Sequence, residues 1–192
     1  METYKKIISS VSIVLKEFGF NRKKENFILK KNNNIGIVNF QKSRDSTAST
    51  ILFTINIGVY IHSLSMFNNM DMDNDPVIDG CQWKERINPL NESWWKIDEK
   101  IDIEKVTNEV INVLKTVAIP NIEKNIVDEN LEKRWQSGLS GGLSEQQRQL
   151  YLIALLKANN RDGWKHLLEH LLNYSKGKSF ELNIKENIEK LG

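Results

Sequence analysis

An α+β fold is predicted by three features of the chain. One amphipathic helix stands at its start, alternating apolar residues run through its first half, and helical periodicity governs nearly everything after residue 102. No strand–helix–strand alternation of the kind that builds a parallel sheet is visible. The expected architecture is an N-terminal helix packed on an antiparallel sheet of about four strands, followed by C-terminal helices.

Tyr4, Ile7, Ile8, Val11, Leu15 and Phe18 fall at helical spacing, which predicts a helix over 4–18 with Gly19 as its stop. Residues 20–24 read as a basic turn. A short strand is expected from Phe27 to Lys31, a turn at Asn32-Asn33-Asn34, and a second strand from Ile35 to Lys42. Ile51, Phe53, Ile55, Ile57, Val59 and Ile61 share one side of the clearest strand, with Thr54, Asn56 and Tyr60 on the other. Residues 62–80 form a long loop carrying Met66, Met70 and Met72 among Asn and Asp. Gly80 to Ile87 is a candidate fourth strand, ended by Asn88-Pro89, and Trp94-Trp95 precede an acidic capping stretch.

Asp102 caps a helix bearing Val106, Val110, Val113 and Leu114, and Pro120 is expected to restart a second one through Ile122, Ile126, Leu131 and Trp135. Ser144-x-x-Gln147 has the form of a capping box. The helix it opens is apolar nearly all round and must be covered by other elements. Trp164 to Tyr174 is another amphipathic helix, and Phe180, Ile184, Ile188 and Leu191 mark a last one. The expected organisation is a core at 1–135, a Gly/Ser linker at 136–144, and a helical extension at 145–192 packed on the core.

The 192 residues hold 27 Lys and Arg against 25 Asp and Glu, and 40% are hydrophobic, which excludes collagen-like and wholly disordered chains. With one cysteine, Cys81, neither an intramolecular disulfide nor a Cys-rich zinc site is possible. Cys81 reads as a small buried hydrophobe. Ser46 to Met70 carries no charge, yet Asn56, His62, Asn68 and Asn69 would be costly in hydrocarbon, and the alternation already explains the stretch. The N-terminal run is broken by Ser9, Ser10 and Ser12 and fails as a signal peptide. A cytoplasmic protein with no membrane association is expected. Residues 1–61 carry a local charge of +6 and the remainder −4. A basic front half can attract phosphates or an acidic partner, or be a solvated surface guarding a sheet edge.

His166-x-x-Glu169-His170 matches the spacing of inverted zinc peptidases, but only 22 residues follow for the third ligand, so surface histidines are the preferred reading. Asp71-x-Asp73-x-Asp75 resembles the opening of a calcium loop, but Pro76 and Gln82 stand where Gly and Glu are needed. No phosphate loop, dinucleotide fingerprint or nucleophile elbow occurs, so no catalytic residue, metal or cofactor is assigned.

The more informative constellation lies in the strands. If Val38 and Phe40 face the core, Asn39 and Gln41 project to the opposite side, where Thr54, Asn56 and Tyr60 point. Arg86 or Glu85, depending on register, would meet them, with Trp83, Trp94 and Trp95 at the rim. Rows of amides beside Trp, Tyr and Arg suit recognition of a partner backbone or a small polar ligand. Alternatively, the C-terminal helices cover this side and the amides pair internally.

Val38-Asn39-Phe40-Gln41-Lys42-Ser43, Phe53-Thr54-Ile55-Asn56-Ile57-Gly58-Val59-Tyr60, Cys81-x-Trp83-x-Glu85-Arg86-Ile87 and Trp94-Trp95-x-Ile97-Asp98 follow one another in order. Together with the Gly19-Phe20-Asn21-Arg22-Lys23-Lys24 turn, they resemble the bacterial domain-of-unknown-function family 4304 over roughly residues 1–130. The resemblance implies an α+β fold and carries no activity. The expected function is a non-enzymatic binding protein, of the kind that neutralises a protein partner as immunity proteins do, with the partner and the oligomeric state unassigned. One alternative is a nucleic-acid-associated protein using Lys23, Lys24, Lys30, Lys31, Lys42 and Arg44. A second is a small hydrolase using Glu85 and Arg86 or the His166 pair.

Overall fold

The structure, a computed structural model, is described over residues 2–67 and 76–191. Helix α1 (Glu2–Glu17) buries Tyr4, Ile7, Ile8, Val11 and Leu15. It ends as the sequence predicts. Gly19 takes φ +83°, its N–H donates to the Lys16 carbonyl, and the Phe20 N–H donates to that of Leu15, the paired bonds of a Schellman stop.

The antiparallel sheet has six strands among the described residues: β1 (Asn21–Lys23), β2 (Asn26–Lys31), β3 (Asn34–Lys42), β4 (Ile51–Tyr60), β5 (Trp83–Ile87) and β6 (Trp95–Ile97). They lie in the order β1-β2-β3-β4-β5, with β6 pairing the start of β4 beside β5. The expected four are therefore extended by two three-residue strands, too short to show a period. One of them, β1, occupies the expected basic turn. Asn32 and Asn33 both adopt positive φ, +52° and +63°, between β2 and β3, the two-residue hairpin geometry whose twist matches the strands. The Asp71-x-Asp73-x-Asp75 pattern, Met70 and Met72 lie outside the described residues.

Helix α2 (Ile103–Val113) starts on Asp102, whose carboxylate accepts from the Lys105 N–H at 3.0 Å. Pro120 does not restart a helix. The chain stays helical through a π turn at Leu114–Ala118 into α3 (Ile119–Asn125), and Ile119 N–H donates five residues back to the Leu114 carbonyl. Widening that turn shifts the hydrogen-bond register just before the proline, which lacks an N–H and would crowd an ordinary helical carbonyl. The break comes instead at extended Val127, ahead of α4 (Asp128–Gln136).

Helix α5 (Glu145–Ala158) carries the capping box formed by Ser144 and Gln147. Leu152, Ala154, Leu155 and Leu156 join the main core with Phe27, Phe40, Phe53, Ile55, Trp83 and Trp95 of the sheet. Leu150 and Ile153 form a second cluster with Leu171 of α6 (Trp164–Ser175) and Ile184 of α7 (Glu181–Glu189). That double burial explains why α5 is apolar all round. Helix α3 approaches the same side of the sheet so closely that a Cβ on Gly36 would stand 2.3 Å from Ile122 Cγ2.

The glycine stretch after α4 does more than connect. Lys84 N–H donates to the Gly141 carbonyl at 3.3 Å, and a Cβ on Gly141 would stand 2.3 Å from Trp83 Cδ1. The segment thus covers part of the outer edge of β5.

Candidate functional site

Strand alternation divides the sheet into a core side, covered by helices, and an opposite side. Register carries one row of residues directly across the opposite side. Lys23 pairs Asn26, Asn26 pairs Asn39, Asn39 pairs Asn56, and Asn56 pairs Arg86. Three asparagines thus stand between two cations over five strands, a span of about 19 Å at the usual ~4.8 Å strand spacing.

Side-chain bonds follow the row. Arg86 Nε donates to Asn56 Oδ1 at 3.3 Å, and its terminal nitrogen donates to Gln41 Oε1 at 3.2 Å. Asn56 Nδ2 donates to Gln41 Oε1 at 2.9 Å and to Asn39 Oδ1 at 3.3 Å. Asn39 Nδ2 donates to Asn26 Oδ1 at 2.7 Å. The guanidinium lies over the Trp94 ring, 5.3 Å from its centroid, which holds its plane by cation–π contact.

The row is internally bonded yet reached by solvent. Gln41 and Arg86 are exposed, and Asn26, Asn39, Asn56 and Trp94 are half-buried. Asn39, Gln41, Asn56 and Arg86 line an open groove of about 500 Å³, with Ile78, Asp79, Lys84 and Glu85 completing it. One wall is the 3₁₀ turn Ile78–Gly80, which is seated on a small apolar cluster of Ile37, Tyr60 and Cys81. Gly58 permits that seat: a Cβ there would meet Ile78 Cδ1 at 2.8 Å and Cys81 Cβ and Sγ at 2.9 Å. Burial pushes the Cys81 thiol well above the usual cysteine range, so its reactive thiolate form is disfavoured.

Of the nine residues singled out from sequence, Asn39, Gln41, Asn56, Arg86 and Trp94 come together here. Thr54 and Tyr60 share the same side but are buried. Thr54 Oγ1 is within 3.0 Å of both the Ile87 carbonyl and Asn88 Oδ1, and Tyr60 belongs to the apolar cluster under the wall. Trp83 and Trp95 do not rim the amides. Pairing with Val59 and Phe53 turns them to the core side, where they are 0% and 3% exposed and Trp95 stacks on Phe53. Glu85 pairs Ile57 and is likewise directed away from the row, so the register selects Arg86.

Sequence reasoning missed Asn26, and it named Lys23 only among the phosphate contacts of the nucleic-acid alternative. The Asn32-Asn33 turn held the signal, because a two-residue hairpin places Asn26 opposite Asn39 by counting outward from it. His166, Glu169 and His170 are exposed on α6. Among the described residues, no three His, Cys, Asp or Glu groups are placed to hold a metal ion. No described helix is long and apolar enough to cross a membrane.

A family model described as a domain of unknown function (DUF4304) matches residues 11–124, a stretch that contains the whole sheet and every member of the row. No curated protein and no solved structure matches the chain.

Proposed function

The chain belongs to the DUF4304 family, and we propose that it is a non-enzymatic binding protein that recognises a protein partner through the amide row and Arg86. The observation that carries this reading is the continuous hydrogen-bonded row, held on rigid strands and open to solvent along a groove. Positioning polar groups on strands keeps their geometry ready before a partner arrives, which lowers the ordering cost of association. Neutralising a bacterial protein by occupying its surface, as immunity proteins do, is the form of binding this reading favours. It rests on analogy of size and fold class.

The nucleic-acid alternative has weaker support. Lys30 and Lys31 sit at one end of β2, whereas Lys42 and Arg44 lie towards the other end of the sheet, and Lys42 Nζ stands 4.4 Å from the Tyr4 ring centroid. Phosphate binding favours a continuous basic track. The hydrolase alternative has weaker support still, since register directs Glu85 and Arg86 to opposite sides of β5.

The test is capture from a bacterial lysate with the wild-type chain, Gln41→Ala/Arg86→Ala and the remote surface variant Leu182→Ala. A partner retained by wild type and Leu182→Ala but released by the double variant supports the reading. Equal retention by all three refutes this face as the recognition surface.

A further inference from the structure

We infer that Arg134 of α4, the Trp83 indole of β5 and the loop 140–142 form a site for a small oxyanion, a carboxylate or phosphate group. Trp83 lies on the core side of β5, whereas Arg86 and the amide row occupy the other. The site therefore stands independently of the recognition face.

Two buried donors mark it. Trp83 is 0% exposed, and its Nε1–H has no hydrogen-bond partner among the described residues. Arg134 Nε is equally inaccessible and unpartnered. The two side chains meet: the Arg134 guanidinium lies over the Trp83 ring, its carbon 5.5 Å from the centroid. The glycine loop closes on the same indole, since a Cβ on Gly141 would stand 2.6 Å from Trp83 Nε1. In that loop the Gly141 carbonyl is taken by the Lys84 N–H, while the Ser140, Gly141 and Gly142 N–H groups donate to no described residue. Trp135 Nε1 is also buried and unpartnered, but its ring packs on Tyr151 with no described cation over it.

Charge decides what satisfies these groups. Arg134 forms no ion pair among the described residues, and the acids of α4 and of the start of α5 are engaged elsewhere. Asn159 donates to Asp128 and Glu132, Arg161 pairs Glu129, and Arg148 pairs Glu145. A water molecule can accept from a buried N–H, but it leaves a sheltered guanidinium without a counter-charge. Arginine presents Nε–H and a terminal N–H as a parallel fork, which matches two oxygens of one group and not a single-atom halide. The indole N–H adds a neutral donor beside that fork, and free loop N–H groups are of the kind that line anion-binding concavities. Arg134 and Gly141 are only half-buried, which leaves a path to solvent.

The experiment titrates ¹⁵N-labelled full chain with sodium phosphate and, separately, with sodium acetate, sodium chloride holding the ionic strength constant. The expected result is saturable movement of the Trp83 Nε1–H and Arg134 Nε–H signals at millimolar concentration with at least one oxyanion, and none with chloride alone. Phosphate acting alone identifies a phosphate ligand and acetate a carboxylate, and either supports the site. Arg134→Met should bind at least about tenfold more weakly, and Arg134→Lys severalfold more weakly, because lysine keeps the charge but lacks the fork. Lys133→Met, at the exposed neighbour, should bind as wild type. Each variant must keep wild-type signal dispersion, and should Arg134→Met fail to fold, Arg134→Lys carries the comparison. No saturable movement with either oxyanion, movement that chloride reproduces, or wild-type affinity in every folded Arg134 variant overturns the proposal.

Discussion

Gly58→Ala tests the packing that builds the groove wall. The new methyl would enter a space where Ile78 Cδ1 lies at 2.8 Å and Cys81 Cβ and Sγ at 2.9 Å. Ile78 can swing its terminal carbon away, but Cys81 Cβ is tied to the backbone. Restoring an ordinary carbon contact of roughly 3.6 Å requires the 78–81 segment to retreat by about 0.7 Å. Overpacking of this kind costs about 1–3 kcal/mol. Replacing a mid-strand glycine recovers about 0.5–1 kcal/mol of backbone entropy. The net destabilisation is therefore roughly 0–2.5 kcal/mol, and at about 2–4 °C per kcal/mol for a chain of this size Tm should fall by up to about 10 °C. Urea unfolding and thermal melts read this term. The rate at which dithiobis-nitrobenzoate labels Cys81 reads the position of the segment, since the buried thiol of the wild type reacts only on opening. Faster labelling with lower Tm is expected. A variant at least as stable as wild type, with unchanged labelling, would show that Gly58 does not support the wall.

Three further outcomes follow from named contacts. Gly141→Ala should destabilise more than Gly138→Ala in urea melts, because both have positive φ but only the first would drive its methyl into the Trp83 indole, at 2.3 Å against nothing within 4 Å. Ser144→Ala removes the capping box that opens α5 and should cost about 1 kcal/mol, read as a lower urea midpoint with an unchanged slope. The Arg148 guanidinium holds the Glu145 carboxyl below the usual glutamate range. Its folded pKa therefore lies under the unfolded one, so the contribution is present above the ordinary glutamate value and fades as pH falls through the depressed one. Glu145 is half exposed, so Glu145→Gln should cost below about 1 kcal/mol at pH 7, a gap that closes in melts near pH 2.

Much of the frame was legible because local chemistry is readable along the chain. Gly19, Asp102 and the Ser144–Gln147 pair mark helix ends by their own hydrogen bonds, and alternation through Ile51–Ile61 assigns β4 and its two sides. Strands β1 and β6, three residues each, were not, since a period needs more repeats than they contain. Pro120 misled because a π turn absorbed its missing donor.

The amide row divides in the same way. Asn39 and Asn56 sharing a side follows from alternation, and Asn26 opposite Asn39 follows from a two-residue turn. That Asn56 meets Arg86, while Trp83 and Trp95 turn to the core, was decided only in three dimensions. Residues 61–82 between β4 and β5 are too many for a turn to count across, and shifting register by one residue exchanges the two sides of a strand. Burial of Trp83 and Ile87 beneath the helices selects the register that leaves Arg86 outside. Sequence alone thus determined the polar and apolar alternation of each strand, whereas the alignment of those strands into one row was settled by how the core packs, because hydrophobic burial acts on the whole sheet at once.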